Sequence, residues 1–237
     1  MARRFERSSS QALYVHSAPV TAYPFTLACW VYCHSFASSW GDEPLVALTD
    51  KDDGYDRDVL AIYQAGGTAP HLTAVSSTNW DAHSRSPGAG VGVSTGSWFH
   101  AAAVFASTTS HVAAVDGTFG TEATTTISPN ARTSVGVACL PRTAGPEGGS
   151  YTDSTIAEIG IWNVALTEAE IGRLALGVSP LLVRPDALVF YLPLVRDEDR
   201  DLVAGLSLTA YQSPTVVDHP PIIYGWPWWA DLPAGGE

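Results

Sequence analysis

Two tryptophans stand among polar residues. Trp40 precedes Asp42 and Glu43, and Trp80 lies beside Asn79 and Asp81 with Arg85 shortly after. A flat indole face can stack on the apolar side of a sugar ring, while neighbouring carboxylate, amide and guanidinium groups bond its hydroxyls. Trp40, Asp42, Trp80, Asp81 and Arg85 are therefore candidate sugar-contacting residues. A tryptophan folded back over the edge of its own domain would read the same way. A second chemistry is suggested by "TDKDDGYDRD" at 49–58, which carries five aspartates around Gly54. Hard carboxylate oxygens suit Ca²⁺, and Asp50, Asp52 and Asp53 are the candidate ligands. EF-hand spacing is absent, because Thr49 and Lys51 occupy positions where acids are needed. A plain acidic loop is the alternative, and no other cofactor is expected.

Catalytic patterns are missing. The chain contains no G-x-S-x-G, no phosphate-binding Gly-rich loop and no H-E-x-x-H. "DEDRD" at 197–201 clusters acids without a base beside them and reads as a solvated turn. The seven histidines are scattered; His100 and His111 fall on one expected hairpin and could face each other across it. Cys29 and Cys33 are four apart in a strand-like run, roughly 13 Å along a strand. A disulfide needs Cα atoms within about 7 Å, so with Cys139 making an odd third, reduced buried thiols are expected.

The elements that must carry these residues are strands. In 237 residues, 21 Gly and 16 Pro are spread along the chain, as many short strands with turns require. Candidate strands are 11–17, 25–33, 44–50, 58–66, 70–77, 98–106, 111–117, 133–140, 154–166, 187–195 and 206–211. Trp30, Trp98 and Trp162 fall on three of them and are assigned to the core. "STTS" at 107–110 closes a hairpin, Asp116-Gly117 is a further turn, and 81–97 reads as a Gly/Ser-rich loop. One helix is expected near 168–176, opened by the Thr167…Glu170 capping box and closed by Gly177. The expected fold is all-β: an antiparallel two-sheet sandwich with one short helix.

Net charge is -12, with 12 basic against 24 acidic residues and no basic block. Nucleic acid is thus not an expected partner, since binding it requires a positive field. No apolar run reaches the ~18 residues of a membrane span, so no membrane partner is expected either. "MARRFERSSSQALYV" lacks an apolar signal-peptide core, and synthesis in the cytoplasm of the producing cell is expected.

Four segments in fixed order carry a resemblance: "PFTLACWVY", "SWFHAAAVF", "HVAAVDG" and "IAEIGIWNVALTEAEI". Together they resemble the laminin-G-like / concanavalin A-like lectin-glucanase superfamily, over about residues 10–176. The resemblance implies a concanavalin A-like jelly roll. It also implies, for glucanase relatives, an E-x-D-x-E strand whose acids flank a glycosidic bond. Here "EIGIW" keeps Glu158 but has Gly160 and Trp162 at the other two places, so no enzyme activity is expected on this motif. "LLVRPDALVFYLPLVRDEDRDLVAGLSLTAY" follows the core, whereas a similar segment precedes it in many relatives. That order resembles stand-alone proteins of this type encoded by bacteriophages.

The expected domain is thus 1–217, with core 10–176 and further strands at 187–211, followed by a Pro/Trp-rich tail at 218–237. Tyr224, Trp226, Trp228 and Trp229 in the tail, with Arg3 and Arg4, are the candidate contacts to partners. The expected function is a non-catalytic structural and binding protein of a phage particle: capsid decoration, head fibre or tail component. Its expected location is the virion, its expected partners other virion proteins or copies of itself, with glycans at its outward surface. The alternative is a free carbohydrate-binding lectin-like module, with or without Ca²⁺.

Overall fold

The computed structural model describes residues 2–37, 41–53, 55–64, 68–78, 83–85, 92–146, 150–195 and 199–223, with 83–85 as backbone alone. In chain order the strands are β1 (Ala2–Phe5), β2 (Ala12–Val15), β3 (Phe25–Ser35), β4 (Gly41–Thr49), β5 (Arg57–Gln64) and β6 (His71–Ser77). Next come β7 (His83–Arg85), β8 (Trp98–Ser107), β9 (Ser110–Val115), β10 (Thr118–Phe119) and β11 (Ser134–Val137). A small hairpin of β12 (Pro141–Arg142) and β13 (Gly145–Pro146) precedes β14 (Asp153–Trp162), helix α1 (Glu168–Ala175) and β15 (Leu188–Leu192). The described chain closes with β16 (Thr209–Tyr211) and β17 (Thr215–Val217).

Two antiparallel sheets form a sandwich. The first runs β10-β9-β8-β3-β14-β1-β17, with β15 also on β14; the second runs β16-β2-β11-β4-β5-β6-β7. The core between them is built by alternation. Phe25, Leu27, Cys29, Val31 and Cys33 of β3 point inward and meet Leu48, Leu60, Ile62 and Leu72 of the second sheet. Each of the Phe, Leu, Ile and Val side chains contributes about 1.5–3 kcal/mol on leaving water. The three thiols are free and buried. At one end of the core, Arg132 lies 4.4 Å over the Tyr23 ring and donates through Nε to Asp58 at 2.6 Å.

The helix is where the capping box places it. Thr167 Oγ1 accepts the Glu170 N–H, and Glu170 Oε2 accepts the Thr167 N–H. Its end is a Schellman turn: Gly177, at φ 85°, donates to Leu174 O, and Val178 donates to Arg173 O. Through Ile171 and Leu174, α1 covers Ala28, Ala102, Val104, Ala114 and Trp162 on the outer face of the first sheet.

Several expectations change. β1 and β17 flank the first sheet, although neither end of the chain reads as strand, and β7 falls inside the expected loop 81–97. Both hairpin turns hold: Ser107 pairs with Ser110, and Asp116 and Gly117 have φ 49° and 81°. His100 and His111 do not face each other. His111 pairs with Phe105 and points inward, while His100 pairs with Trp30 and points outward. The acidic turn is not simply solvated either: the Asp201 carboxylate is buried and accepts N–H bonds from Tyr191, Val203 and Ala204. Asp199 pairs with Arg3 at 2.8 Å.

Candidate functional site

The even-numbered residues of β3 form the outer face of the first sheet: Thr26, Ala28, Trp30, Tyr32 and His34. Across the ladder Tyr32 pairs with Trp98 and Trp30 with His100 of β8, while Thr155 and Ala157 of β14 pair with Tyr32 and Trp30. Helix α1 covers the Thr26–Ala28 end of this face; toward the other end His100, beside Trp30, is still buried, Trp30 and Tyr32 are half-buried and His34 is exposed. Trp30 and Trp98 are accordingly half-buried, contrary to their assignment to the core; Trp162 is fully buried beneath the helix layer.

An open groove of about 200 Å³ runs along the His34 end, lined by Tyr32, His34, Trp98, Thr155, Val217 and Asp218. Tyr32 and Trp98 meet edge to face, with ring centroids 5.9 Å apart and planes at 67°, so together they make an aromatic corner. The His34 ring lies 4.9 Å from that of Tyr32, and its Nε2 is 2.9 Å from Thr155 Oγ1. Partial desolvation, and then the neighbouring Arg4 charge, lower the His34 pKa from its ordinary value, although the side chain remains exposed. This ring is therefore mainly neutral at pH 7. The Arg4 guanidinium is held by Asp153 at 2.6 Å and by the Phe5 carbonyl.

The far wall comes from the C-terminal segment. β17 pairs with β1, and Asp218 and His219 follow directly. His219 Nε2 lies 3.0 Å from Glu158 Oε1, and Tyr191 OH donates to Glu158 Oε2 at 2.7 Å. Further on, Ile223 donates to Gly177 O at 2.6 Å and accepts from Ser179 N–H. The segment is thus fastened at both ends, which fixes Val217 and Asp218 beside the aromatic corner.

These contacts also define what Glu158 does. It occupies a bulge at φ 54°, between the paired positions Ala157 and Gly160, where β14 changes neighbour from β1 to β15. Its carboxylate is sealed under His219 and Tyr191. Gly160 is fixed by packing: a Cβ there would meet Trp162 Cη2 at 2.4 Å. The strand keeps Glu158 for structure and has no room for a carboxylate at 160.

Of the sugar-contact residues expected from sequence, Trp40, Trp80 and Asp81 lie outside the described residues, and Arg85 is described only by its backbone pairing with Val75. Asp42 is half-buried on β4, opposite Tyr63 of β5, on the other sheet from the groove. The neighbouring Glu43 is buried and pairs with Arg7. Asp50 Oδ1 accepts from the Asp52 N–H and Thr133 Oγ1, and Asp53 Oδ1 accepts from the Tyr55 N–H. Asp52 binds Lys51 and Thr143, which lower its pKa. Each of the three carboxylates takes its own local donor, and among the described residues no three metal-ligating side chains converge. Arg3 and Arg4 are engaged by Asp199 and Asp153 within the chain. Tyr224, Trp226, Trp228 and Trp229 lie outside the described residues.

Sequence reading missed Tyr32, His34, Thr155 and Asp218 and misplaced Trp98. The available signal was parity: Trp30, Tyr32 and His34 alternate with Cys29, Val31 and Cys33.

Two antiparallel sheets with a helix on one outer face and an aromatic groove beside it define a lectin-type β-sandwich. The chain belongs to the concanavalin A-like lectin/glucanase superfamily, whose laminin-G family profile matches residues 7–172. No curated protein matches it by sequence. Among solved structures it is similar to a Bacteroides ovatus protein assigned to carbohydrate binding, at TM-score 0.66 and 18% identity, over 94% of this chain and 61% of that one. It is also similar to the native heptameric SAP-like pentraxin of Limulus polyphemus, at TM-score 0.61 and 13% identity, over 86% of this chain and 87% of that one. A third likeness is to the enzymatically active domain of bacteriophage CBA120 tailspike protein 2, at TM-score 0.51 and 12% identity, over 77% of this chain and 28% of that one. At such identities the likeness is one of fold.

Proposed function

We propose that the protein is a non-catalytic carbohydrate-binding module that holds its ligand in the Tyr32–Trp98 groove. The observation carrying this reading is an aromatic corner left open on the sheet and bordered by Asp218 and His34. Open aromatic surface ringed by polar groups suits an amphipathic ligand such as a sugar. Catalysis is not part of the reading, because Glu158 is sealed and Gly160 and Trp162 replace the further acids of the glucanase pattern. The test is a polysaccharide screen by affinity electrophoresis with wild type and Trp98→Ala. Retardation lost in the variant supports the reading; retardation unchanged in the variant opposes it.

The setting we propose for this module is a bacteriophage particle. That reading is supported by the segment order resembling phage-encoded stand-alone proteins and by the fold likeness to a tailspike domain. The aromatic residues Tyr224, Trp226, Trp228 and Trp229 are its proposed contacts with virion proteins or further copies of the chain. Because Val217 and Asp218 line the groove and Ile223 fastens their segment to Gly177 and Ser179, the informative truncation ends at Ile223. Solution mass should then fall from a defined oligomer to a monomer. A full-length protein that is already monomeric and ignores particle proteins argues for a free lectin-like module.

A further inference from the structure

We infer that the groove selects an uncharged sugar ring, carried on the Tyr32–Trp98 corner with its hydroxyls turned to the Asp218 carboxylate. This inference rests on the carbohydrate-binding reading and adds the ligand class.

The argument starts from charge. Among the described residues six line the groove, and Asp218 is the one of these with an acidic side chain. His34, the lining residue that could offer a positive charge, is exposed, and partial desolvation and then Arg4 lower its pKa from the ordinary imidazole value. Arg4 itself is bound by Asp153 and by the Phe5 carbonyl. Asp153 accepts a further bond from Ser35 Oγ, so that neighbouring pair is internally compensated. The whole chain adds a net charge of -12. A uronate or sulfated ring would bring its anion to a carboxylate with no guanidinium or ammonium among the described lining residues to receive it. A neutral ring instead brings hydroxyl donors, for which an ionised carboxylate is the stronger kind of acceptor.

Shape agrees with charge. A groove of about 200 Å³ is smaller than the ~300–1,000 Å³ pockets that enclose drug-sized ligands. It suits one ring, with the remainder of a chain outside. The aromatic corner offers two faces at 67° to each other, so a ring can lie on one and abut the other.

The experiment pairs neutral polysaccharides (dextran, galactomannan) with polyuronates (alginate, polygalacturonate) in affinity electrophoresis. Wild type, Trp98→Ala, Asp218→Asn and Asp218→Lys are compared at matched ionic strength. Asp218 is exposed, so its variants should fold even if Trp98→Ala does not. The inference expects wild type to bind a neutral polymer at least about tenfold more tightly than any uronate. It expects Asp218→Asn to lose about tenfold or more, and Asp218→Lys to shift preference toward uronates. Preferential uronate binding by wild type overturns the charge argument. Neutral binding insensitive to both Asp218 variants overturns the groove assignment while leaving a carbohydrate-binding function standing. Failure to bind any saccharide overturns the function and the inference together.

Discussion

Arg132→Met should be among the most destabilising single changes in the chain. The guanidinium reaches Asp58 through Nε at 2.6 Å and Nη2 at 2.5 Å, with side-chain exposures of 3% and 0%. It also donates to Thr21 O and covers the Tyr23 and Phe25 rings. Methionine would refill much of the volume but leave a buried carboxylate without its cation. Breaking such a pair costs about 3–5 kcal/mol, a large part of the ~5–15 kcal/mol that holds a domain together. For a chain of this size that is a fall in Tm of roughly 6–20 °C. The pH dependence follows. Burial already raises the Asp58 pKa, and Arg132 opposes that rise. Without Arg132 the folded-state value climbs further above the unfolded ~3.9. A raised acid pKa favours the protonated fold, so the variant's deficit should be largest at pH 7 and shrink as pH falls through the raised value. Urea unfolding followed by tryptophan fluorescence at pH 7 and pH 4.5 measures both effects, with an unchanged m-value as control. Asp58→Asn combined with Arg132→Met should recover most of the loss. A deficit below about 1 kcal/mol at pH 7, or one equally large at both pH values, would refute the reasoning.

Three further outcomes follow from single contacts. Burial lowers the His100 pKa to about 3, so its ring resonances should stay flat from pH 8 to pH 5. The sign is that of a depressed base: stability falls as pH drops below the unfolded ~6.5 and continues to fall toward about 3. A titration near 6.5 would place that ring in water. Gly160→Ala forces its new Cβ into the Trp162 indole, whose Nε1 is tied to Val183 O at 2.8 Å. A loss of about 1–3 kcal/mol in thermal or urea unfolding is expected, and an unchanged midpoint would mean that the strand accommodates a side chain there. His219→Ala removes the clasp on Glu158, so hydrogen exchange at the Ile223 amide should accelerate. Protection equal to wild type would show that the Gly177–Ile223 contacts hold the segment unaided.

Much of this fold is legible in the sequence because its signals are local. Thr167, Glu170 and Gly177 announce both ends of α1 within ten residues, and Asp116-Gly117 announces its turn by the two positive φ angles it must adopt. Strands β1 and β17 are harder to see. Each is short, and each takes its place from a partner far away in the chain, Arg3 opposite both Ile156 and Val216. The groove is obscured for a different reason. Outward residues Ala28, Ala102 and Val104 are buried under α1, so β3 and β8 look apolar on both faces at that end. That continuous run hides the alternation which, further along the same strands, puts Trp30, Tyr32 and Trp98 on the outside. Asp218 joins them by tertiary placement alone. Asp201 reads as a solvent residue for a similar reason, since its backbone partners include Tyr191, ten positions earlier on another element.

The central claim is that the Tyr32–Trp98 corner holds the sugar. Indole N–H resonances test it most directly, because the chain supplies its own control. Trp98 lines the groove, whereas Trp162 is buried and tied to Val183 O. Titrating ¹⁵N-labelled protein with a neutral saccharide should shift the Trp98 indole and the backbone amides of Tyr32 and His34 saturably, with one common Kd, and leave Trp162 in place. Saturable shifts at other residues with Trp98 unmoved would contradict the account and move the ligand to another surface of the sandwich.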